Sequence, residues 1–132
     1  MNRFYYLILA AMSLTMMGCG QKDNPLLGDF QTPFQTPPFD QIETTHFLPA
    51  AKEAISLGLA EVEAIVNNPE PADFANTIDA LAWSGSLYSR ISRIFYNLNS
   101  AETNAALQEV ARELSPLASD YSNDILFNKA LF

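Results

Sequence analysis

The sequence predicts an all-α fold in which an extended, proline-rich arm is followed by three or four antiparallel helices that form a partial helical domain. Three runs of the chain carry apolar residues three and four positions apart, which is the spacing of one face of an α-helix. Clusters of turn-forming residues separate the runs, and the prolines ahead of the first run exclude regular helix there. The 132 residues suffice for one domain.

The longest run is predicted to form one helix from Asp73 to Leu98. Pro69 and Pro71 end the preceding segment, because proline removes a backbone donor and pushes the residue before it out of helical geometry. Asp73 is the predicted N-cap. Apolar residues on two sides indicate burial between neighbours, and part of this apolar surface is expected to find no partner within the 132 residues. The main stripe is Phe74, Ile78, Leu81, Gly85, Tyr88, Ile91, Phe95 and Leu98, with Trp83, Leu87 and Ile94 on a second line.

Two further helices are predicted, one before and one after this run. The first begins between Thr44 and Pro49 with a threonine cap. The last begins between Ser100 and Thr103, and Pro116 is expected to kink or break it because proline cannot bond to the carbonyl four residues earlier. The expected stripes are Leu48, Ala51, Ile55, Leu59, Val62 and Val66 in the first helix and Leu107, Val110, Leu114, Leu117 and Tyr121 in the last.

Residues 1–18 are predicted to be a cleaved signal peptide. Arg3 gives a short positive start, and residues 4–12 form an apolar stretch too short for a typical membrane span. The tract MMGC at positions 16–19 resembles a bacterial lipobox, in which a signal peptidase cuts before a cysteine that then receives lipid. Lipoboxes favour leucine at the position where Met16 stands. Cys19 is therefore the predicted lipidation site. The alternative is an ordinary thiol within an uncleaved anchor.

The lipobox resemblance also implies a location. Residues 19–23 would be a lipidated tether held to a membrane by acyl chains and not by a helix. Gly20, in place of an aspartate after the cysteine, implies the outer membrane. Gln21-Lys22-Asp23 resembles a short tag that sends some Gram-negative lipoproteins to the cell surface, and a plain solvated tether is the alternative. The periplasmic and the surface face both stay open.

Residues 24–45 are predicted to be an extended arm, and residues 46–132 the helical region. Four prolines exclude regular helix from the arm, yet its apolar residues are too many for a free linker. The arm is therefore expected to lay its aromatic side chains on the folded body. Its apolar residues are Leu26, Leu27, Phe30, Phe34, Phe39 and Ile42.

The composition argues against several classes of function. Fifteen acidic and seven basic residues give an acidic chain, so no nucleic-acid partner is expected. His46 is the only histidine and Cys19 the only cysteine, so neither an internal disulfide nor a zinc site is predicted. His46 is expected to bond to the backbone near a helix start or to cover an apolar edge.

The remaining candidates for catalysis are weak. The five glycines are scattered and form no phosphate-binding loop. The tract SGS at positions 84–86 lies inside the predicted central helix, where its glycine would permit close helix packing, and is not a nucleophile elbow. Glu61 and Glu63 point in two directions round a helix, and Asp120 and Asp124 form a solvated face, so neither pair is expected to serve as acid and base. No catalytic and no metal-binding residue is predicted.

Several separated motifs, in the same order, resemble one protein family. The arm and the start of the first helix carry the motif NPLL…F.TPF.TPPFD.I….HFLPA, and the end of the first helix carries EVEAIVNNPE. The next helix carries F.NTI.AL, and the segment after it carries SR.S..F.NLNSA.TN. Together they resemble the N-terminal region of bacterial peptidyl-dipeptidases, which are zinc metallopeptidases of the thimet oligopeptidase family. The resemblance runs from about Asn24 to Phe132.

The resemblance implies an all-α N-terminal region that forms part of one wall of a channel admitting short peptides in the complete enzyme. It also implies zinc in the full-length family, held by a His-Glu-x-x-His helix and a further Glu, a motif absent from these 132 residues. We expect no cofactor in this chain. The expected partners are a membrane through the lipid anchor, the missing catalytic domain and, in the full enzyme, short peptides.

The end of the sequence favours an incomplete enzyme, inactive alone. Asn128 is the predicted cap of another helix that stops at Phe132, and a short docked tail is the alternative. A second interpretation is a free-standing helical lipoprotein that binds a peptide or a partner protein through uncovered apolar faces. A third, peptide hydrolysis by this chain with zinc, is not expected.

Overall fold

A computed structural model describes residues 24–131 and contains only helices and connecting segments in that range. The predicted all-α class, with an arm ahead of a partial helical domain, is confirmed. The predicted signal peptide and Cys19 lie outside the described residues. The elements are a short 3-10 helix (Pro33–Gln35), helix α1 (Thr44–Val66), a π-helical segment (Phe74–Asp79), helix α2 (Ala80–Trp83), helix α3 (Ser86–Ala101) and helix α4 (Ala105–Leu126).

Helix α1 is the centre of the domain, because the extensive contacts between long helices are those of α1 with α3 and with α4. Its buried side chains are mostly small, and small side chains let helix axes approach to about 8 Å. The predicted stripe is confirmed at Ala51 and Val62, whereas its larger members are only half-buried, because the contact line lies about one residue earlier along the helix. The buried residues of α1 are Phe47, Ala50, Ala51, Ala54, Gly58 and Val62.

The core lies where α1 meets α3, α4 and the arm. The rings of Phe47 and Phe95 pack edge to face with their centroids 5.2 Å apart, a geometry that aromatic pairs favour. Ile91 and Phe95 are fully buried, which confirms the second half of the predicted central stripe. The other core members are Leu26, Phe30, Ala50, Ala51, Ala54, Ile94, Leu107 and Leu114.

The prediction of a single helix from Asp73 to Leu98 is wrong in one respect, because the helix is interrupted at Ser84 and Gly85. Ser84 is extended with ψ 146°, and Gly85 has a φ of 66°, a left-handed conformation that glycine adopts without a steric penalty. The predicted N-cap is confirmed, since Asp73 Oδ1 accepts a hydrogen bond from the Asn76 N–H at 2.7 Å. The expected close packing at Gly85 is also confirmed, although it occurs at a helix break.

The break coincides with a tight contact between three segments. A β-carbon added to Gly58 would lie 3.2 Å from the Gly85 α-carbon and still closer to the Tyr121 hydroxyl oxygen. A β-carbon on Gly85 would also overlap that hydroxyl. A larger residue at either position would therefore require the Tyr121 side chain to move, and one at Gly58 would also crowd the backbone of Gly85.

Helix α1 starts at Thr44, within the predicted range, whereas its cap and the start of α4 differ from the predicted ones. The N-cap of α1 is Glu43 and not a threonine, because the Glu43 N–H donates to His46 Nδ1 at 3.0 Å and no threonine oxygen is needed there. Helix α4 starts at Ala105 because Asn104 Oδ1 accepts from the Leu107 N–H at 3.0 Å.

Pro116 does not break α4, which runs through it to Leu126. Pro116 and Arg112 are both exposed, so solvent is available to the carbonyl that the proline leaves unbonded. After the helix, Asn128 Oδ1 accepts from the Ala130 N–H at 3.0 Å. Residues 129–131 form a turn and not the predicted further helix. Phe132 lies outside the described residues.

The arm packs on the body at its start and again near its end, where Pro38 is buried and Ile42 packs half-buried against the core. Leu26 and Phe30 are buried, which confirms the prediction for them. Phe34 and Phe39 are 98% and 57% exposed, so for them the prediction is wrong. The reason lies in a local turn, because Phe34 has a φ of 60° and its turn is closed by the Gln35 N–H bonding to the Thr32 carbonyl at 3.0 Å.

Replacing Gly85 by alanine should destabilise the domain. The added methyl group would lie in a left-handed conformation and against the Tyr121 hydroxyl, so the free energy of unfolding is expected to fall by about 2 kcal/mol or more. The measurement is urea denaturation of the complete chain followed by circular dichroism. Gly28→Ala is the control, because nothing lies within 4 Å of its added methyl group. Equal urea midpoints for Gly85→Ala and Gly28→Ala would contradict the packing described above.

Candidate functional surface

The residues that the sequence singled out for metal or acid–base chemistry are not brought together. Among residues 24–131 no three His, Cys, Asp or Glu side chains are close enough to hold a metal ion. The His46 side chain bonds to the backbone as expected, since its Nδ1 accepts from the Glu43 N–H. The backbone carbonyl of His46 accepts from Asn24 Nδ2 at 2.8 Å. Asp120 and Asp124 are both exposed on α4.

Glu61 and Glu63 differ in what they contact. The Glu61 carboxylate accepts a hydrogen bond from the Gly85 N–H at 2.7 Å, which links α1 to the residue before α3. A negative charge at the start of a helix also interacts favourably with the helix dipole. Glu63 is exposed. The role of Glu61 is therefore to position the start of α3.

Tyr121 joins the same contact from α4. Its ring packs edge to face on Tyr88 with centroids 5.3 Å apart. Burial raises the pKa of Tyr121 above its ordinary value of 10.0, and the negative charge of Glu61 raises it further. Burial also raises the pKa of Tyr88, against a lowering by its hydrogen bond with Ser92. Both hydroxyls therefore stay protonated beyond the ordinary range.

Arg90 of α3 holds the arm in place. Its Nη2 donates to the carbonyl oxygens of Leu26 at 3.1 Å and Gly28 at 2.9 Å. Its guanidinium lies over the Phe30 ring, 4.7 Å from the centroid, which is a cation–π contact. The ion pair with Asp29 is 3.9 Å long, and Asp29 is almost fully exposed, so this pair adds little. The backbone carbonyls and the aromatic ring are the main partners.

An open groove of about 540 Å³ lies between the arm and the segment that joins α2 to α3. Phe30 and Pro37 line one side, and Trp83, Arg90 and Arg93 line the other. Trp83 is 72% exposed. Arg90 is already held by the arm carbonyls and the Phe30 ring, and Asp29 also lines the groove. The groove therefore offers the Arg93 guanidinium beside aromatic surface, a combination suited to a carboxylate next to an apolar group.

The segment from Phe74 to Trp83 has no buried residue. Three large apolar side chains in it are exposed, namely Phe74 at 73%, Ile78 at 54% and Trp83 at 72%. We call these three side chains the exposed apolar group. The prediction that part of the central run finds no partner is confirmed for the residues that the structure describes.

The contacts that the sequence does not predict are those of Arg90 with the arm, of Glu61 with Gly85 and of Tyr121 with the two glycines. Their partners are distant in sequence: Arg90 binds the arm more than sixty residues earlier, and Glu61 binds a residue 24 positions later. Periodicity reports which face of a helix is apolar but not which polar side chain reaches another segment. Arg90 and Arg93 lie three residues apart in the sequence, and no sequence signal distinguishes the one that binds the arm.

The described part of the chain contains no helix that is both long enough and apolar enough to cross a bilayer. No protein-family model matches the chain.

Comparison with curated proteins identifies relatives. The chain is 43% identical over 109 residues to dipeptidyl carboxypeptidase of Salmonella typhimurium strain LT2, covering 83% of this chain and 16% of that protein. It is homologous to a segment of a peptidase. The dipeptidyl carboxypeptidase of Escherichia coli strain K12 is 39% identical over the same length, with the same coverage. Oligopeptidase A of Salmonella typhimurium is 32% identical over 109 residues, covering 83% of this chain and 15% of that protein.

These relatives confirm that the chain resembles a segment of proteins named as peptidases. The described helices correspond to one segment of dipeptidyl carboxypeptidase and oligopeptidase A, and the chain spans 16% of the length of the dipeptidyl carboxypeptidases that it matches. The relatives are named as peptidases, but the residues described here contain no group of metal ligands. The matched segment supplies helices, a groove and an exposed apolar group.

Arg90→Lys should loosen the arm. Lysine cannot bond to two carbonyls with the fixed geometry of a guanidinium, so residues 24–30 are expected to lose about 1–2 kcal/mol of protection. Hydrogen–deuterium exchange of the arm amides measures this loss. Arg93→Lys is the matched control, because Arg93 lies three residues along the same helix and is exposed. Equal exchange in both variants would contradict the role of Arg90.

Stability should fall at high pH. The raised pKa values of Tyr88 and Tyr121 mean that the folded state holds these protons more tightly than the unfolded state. Their contribution is fully present below about pH 10 and is lost as the pH rises through the folded pKa values. Tyr121→Phe should flatten this loss in urea denaturation between pH 8 and about pH 11, and a double variant with Tyr88→Phe should flatten it further. An unchanged pH dependence in Tyr121→Phe would be inconsistent with a buried hydroxyl beside Glu61.

Proposed function

We propose that this chain is the N-terminal, non-catalytic helical part of a zinc metallopeptidase of the thimet oligopeptidase family. The complete enzyme would release dipeptides from the C-termini of short peptides. The observation that carries the proposal is the 43% identity with a dipeptidyl carboxypeptidase over 109 residues. The order of the sequence motifs supports placing this segment at the N-terminus of that enzyme.

The non-catalytic role is supported by chemistry. A His-Glu-x-x-His zinc site needs two histidines, and this sequence has only His46. Its Nδ1 already accepts a backbone hydrogen bond at the start of α1. Zinc and the water that it activates would therefore belong to a catalytic domain that these residues do not supply.

Export and lipidation form part of the proposal. The apolar stretch after Arg3 and the MMGC tract support cleavage before Cys19 and lipid attachment there. A lipid-anchored protein on the outer membrane, facing the periplasm or the cell surface, would meet short peptides outside the cytoplasm. Incorporation of labelled palmitate in cells tests this directly, with Cys19→Ser as the control that should remove the label.

A chimera tests the proposed function. In Salmonella typhimurium dipeptidyl carboxypeptidase, the residues matched by this chain are replaced by the 109 matched residues of this chain. The zinc-loaded chimera is expected to release C-terminal dipeptides, because the transplanted helices should pack in the same way. The control is the same enzyme with the segment deleted, which should be inactive.

Two results would contradict the proposal. One is a chimera that melts cooperatively and binds zinc but releases no dipeptide. The other is zinc-dependent hydrolysis by the complete 132-residue chain alone, which would give this chain a catalytic site of its own.

The second candidate function is a free-standing helical lipoprotein that binds a peptide or a partner protein. The groove beside Trp83 and Arg93 favours it, because the Arg93 guanidinium suits a peptide carboxylate. Trp83 is the only tryptophan, so its fluorescence reports on the groove. Saturable quenching by short peptides with a free C-terminus, absent when that terminus is amidated, would support this function over the first.

A further inference from the structure

The segment Phe74–Trp83 is ordered as helix without contributing to the core. None of its residues is buried, and it contacts mainly itself, with few contacts to α1. An isolated helix shorter than about 12 residues is marginal in water, because nucleation costs more than a few hydrogen bonds return. This segment therefore depends on burial that residues 24–131 do not provide.

The chemistry of the segment is that of a protein interface. Between Phe74 and Ser86 the only charged residue is Asp79. The centres of protein interfaces are depleted of charge and enriched in aromatic residues. Phe74, Ile78 and Trp83 supply the apolar surface, while Glu70, Asp73 and Asp79 place negative charge near it. A matching surface would be apolar at its centre with basic residues at its edge.

The acidic surroundings argue against a lipid surface. Anionic lipids attract basic segments and repel carboxylates, and the whole chain carries a formal net charge of −8. The similar peptidases contain a large protein body that fits better, because the matched segment covers only 16% of the length of each dipeptidyl carboxypeptidase.

Resting on the proposed function, we propose that the exposed apolar group is the docking surface for the part of the peptidase outside the matched segment. Phe74, Ile78 and Trp83 insert into an apolar surface of that part, and basic residues around it face Asp79 and Glu70. This docking completes the burial of the helical segment.

The test measures cysteine accessibility in the chimera and in the complete 132-residue chain. Phe74→Cys and Ile78→Cys are introduced separately into each protein, treated with a maleimide and read by peptide mass spectrometry. Each site is expected to react rapidly in the complete chain and about tenfold more slowly in the chimera, where opening of the interface must precede reaction. Ile91→Cys, at a fully buried position, reports folding and should react slowly in both proteins.

The outcomes separate the two proposals. Equal labelling of Phe74→Cys in the chain and in a chimera that releases dipeptides would overturn the docking surface and leave the proposed function standing. Rapid labelling of Ile91→Cys in the chimera would show that the peptidase does not accommodate this segment, which overturns both. Protection of Phe74→Cys in the complete chain by phosphatidylethanolamine and phosphatidylglycerol vesicles would assign the surface to lipid and overturn the docking proposal.

Discussion

Tyr121 of α4 fits against Gly58 of α1 and against Gly85, so closely that a β-carbon on either glycine would overlap its hydroxyl. This contact fixes the distances among three helices at one place. Glu61 adds a hydrogen bond to the Gly85 N–H, and the left-handed conformation of Gly85 then sets the direction in which α3 leaves. The small buried residues of α1 extend the close approach towards the arm.

One consequence is the division of the central run into two parts. From Ser86 onwards α3 returns to the core and buries Ile91 and Phe95, while the segment before Gly85 projects its apolar side chains into solvent. Arg90 faces the arm from the same helix and holds Leu26 and Phe30 on the body. The domain is therefore well packed on the side of α1 and uncovered around Trp83.

Helix type and several local signals could be read from the sequence because they depend on near neighbours. The Asp73 cap and the backbone bond of His46 each involve residues three positions apart. The break at Gly85 could not be read, since it depends on Tyr121 and Glu61 in other helices. The central position of α1 was missed because alanine and glycine add little to an apolar pattern, although they allow the closest packing. Phe34 was misplaced because apolar character alone does not reveal a turn that carries the ring outward.

We propose above that these helices are one working segment of a peptidase, completed by a catalytic domain. The most direct measurement adds the complete 132-residue chain to the dipeptidyl carboxypeptidase of Salmonella typhimurium from which the matched residues have been deleted, and follows release of C-terminal dipeptides. Activity that rises with chain concentration and saturates is the predicted result. A chain that binds the shortened enzyme but restores no activity would contradict the account, and so would a chain that does not bind it.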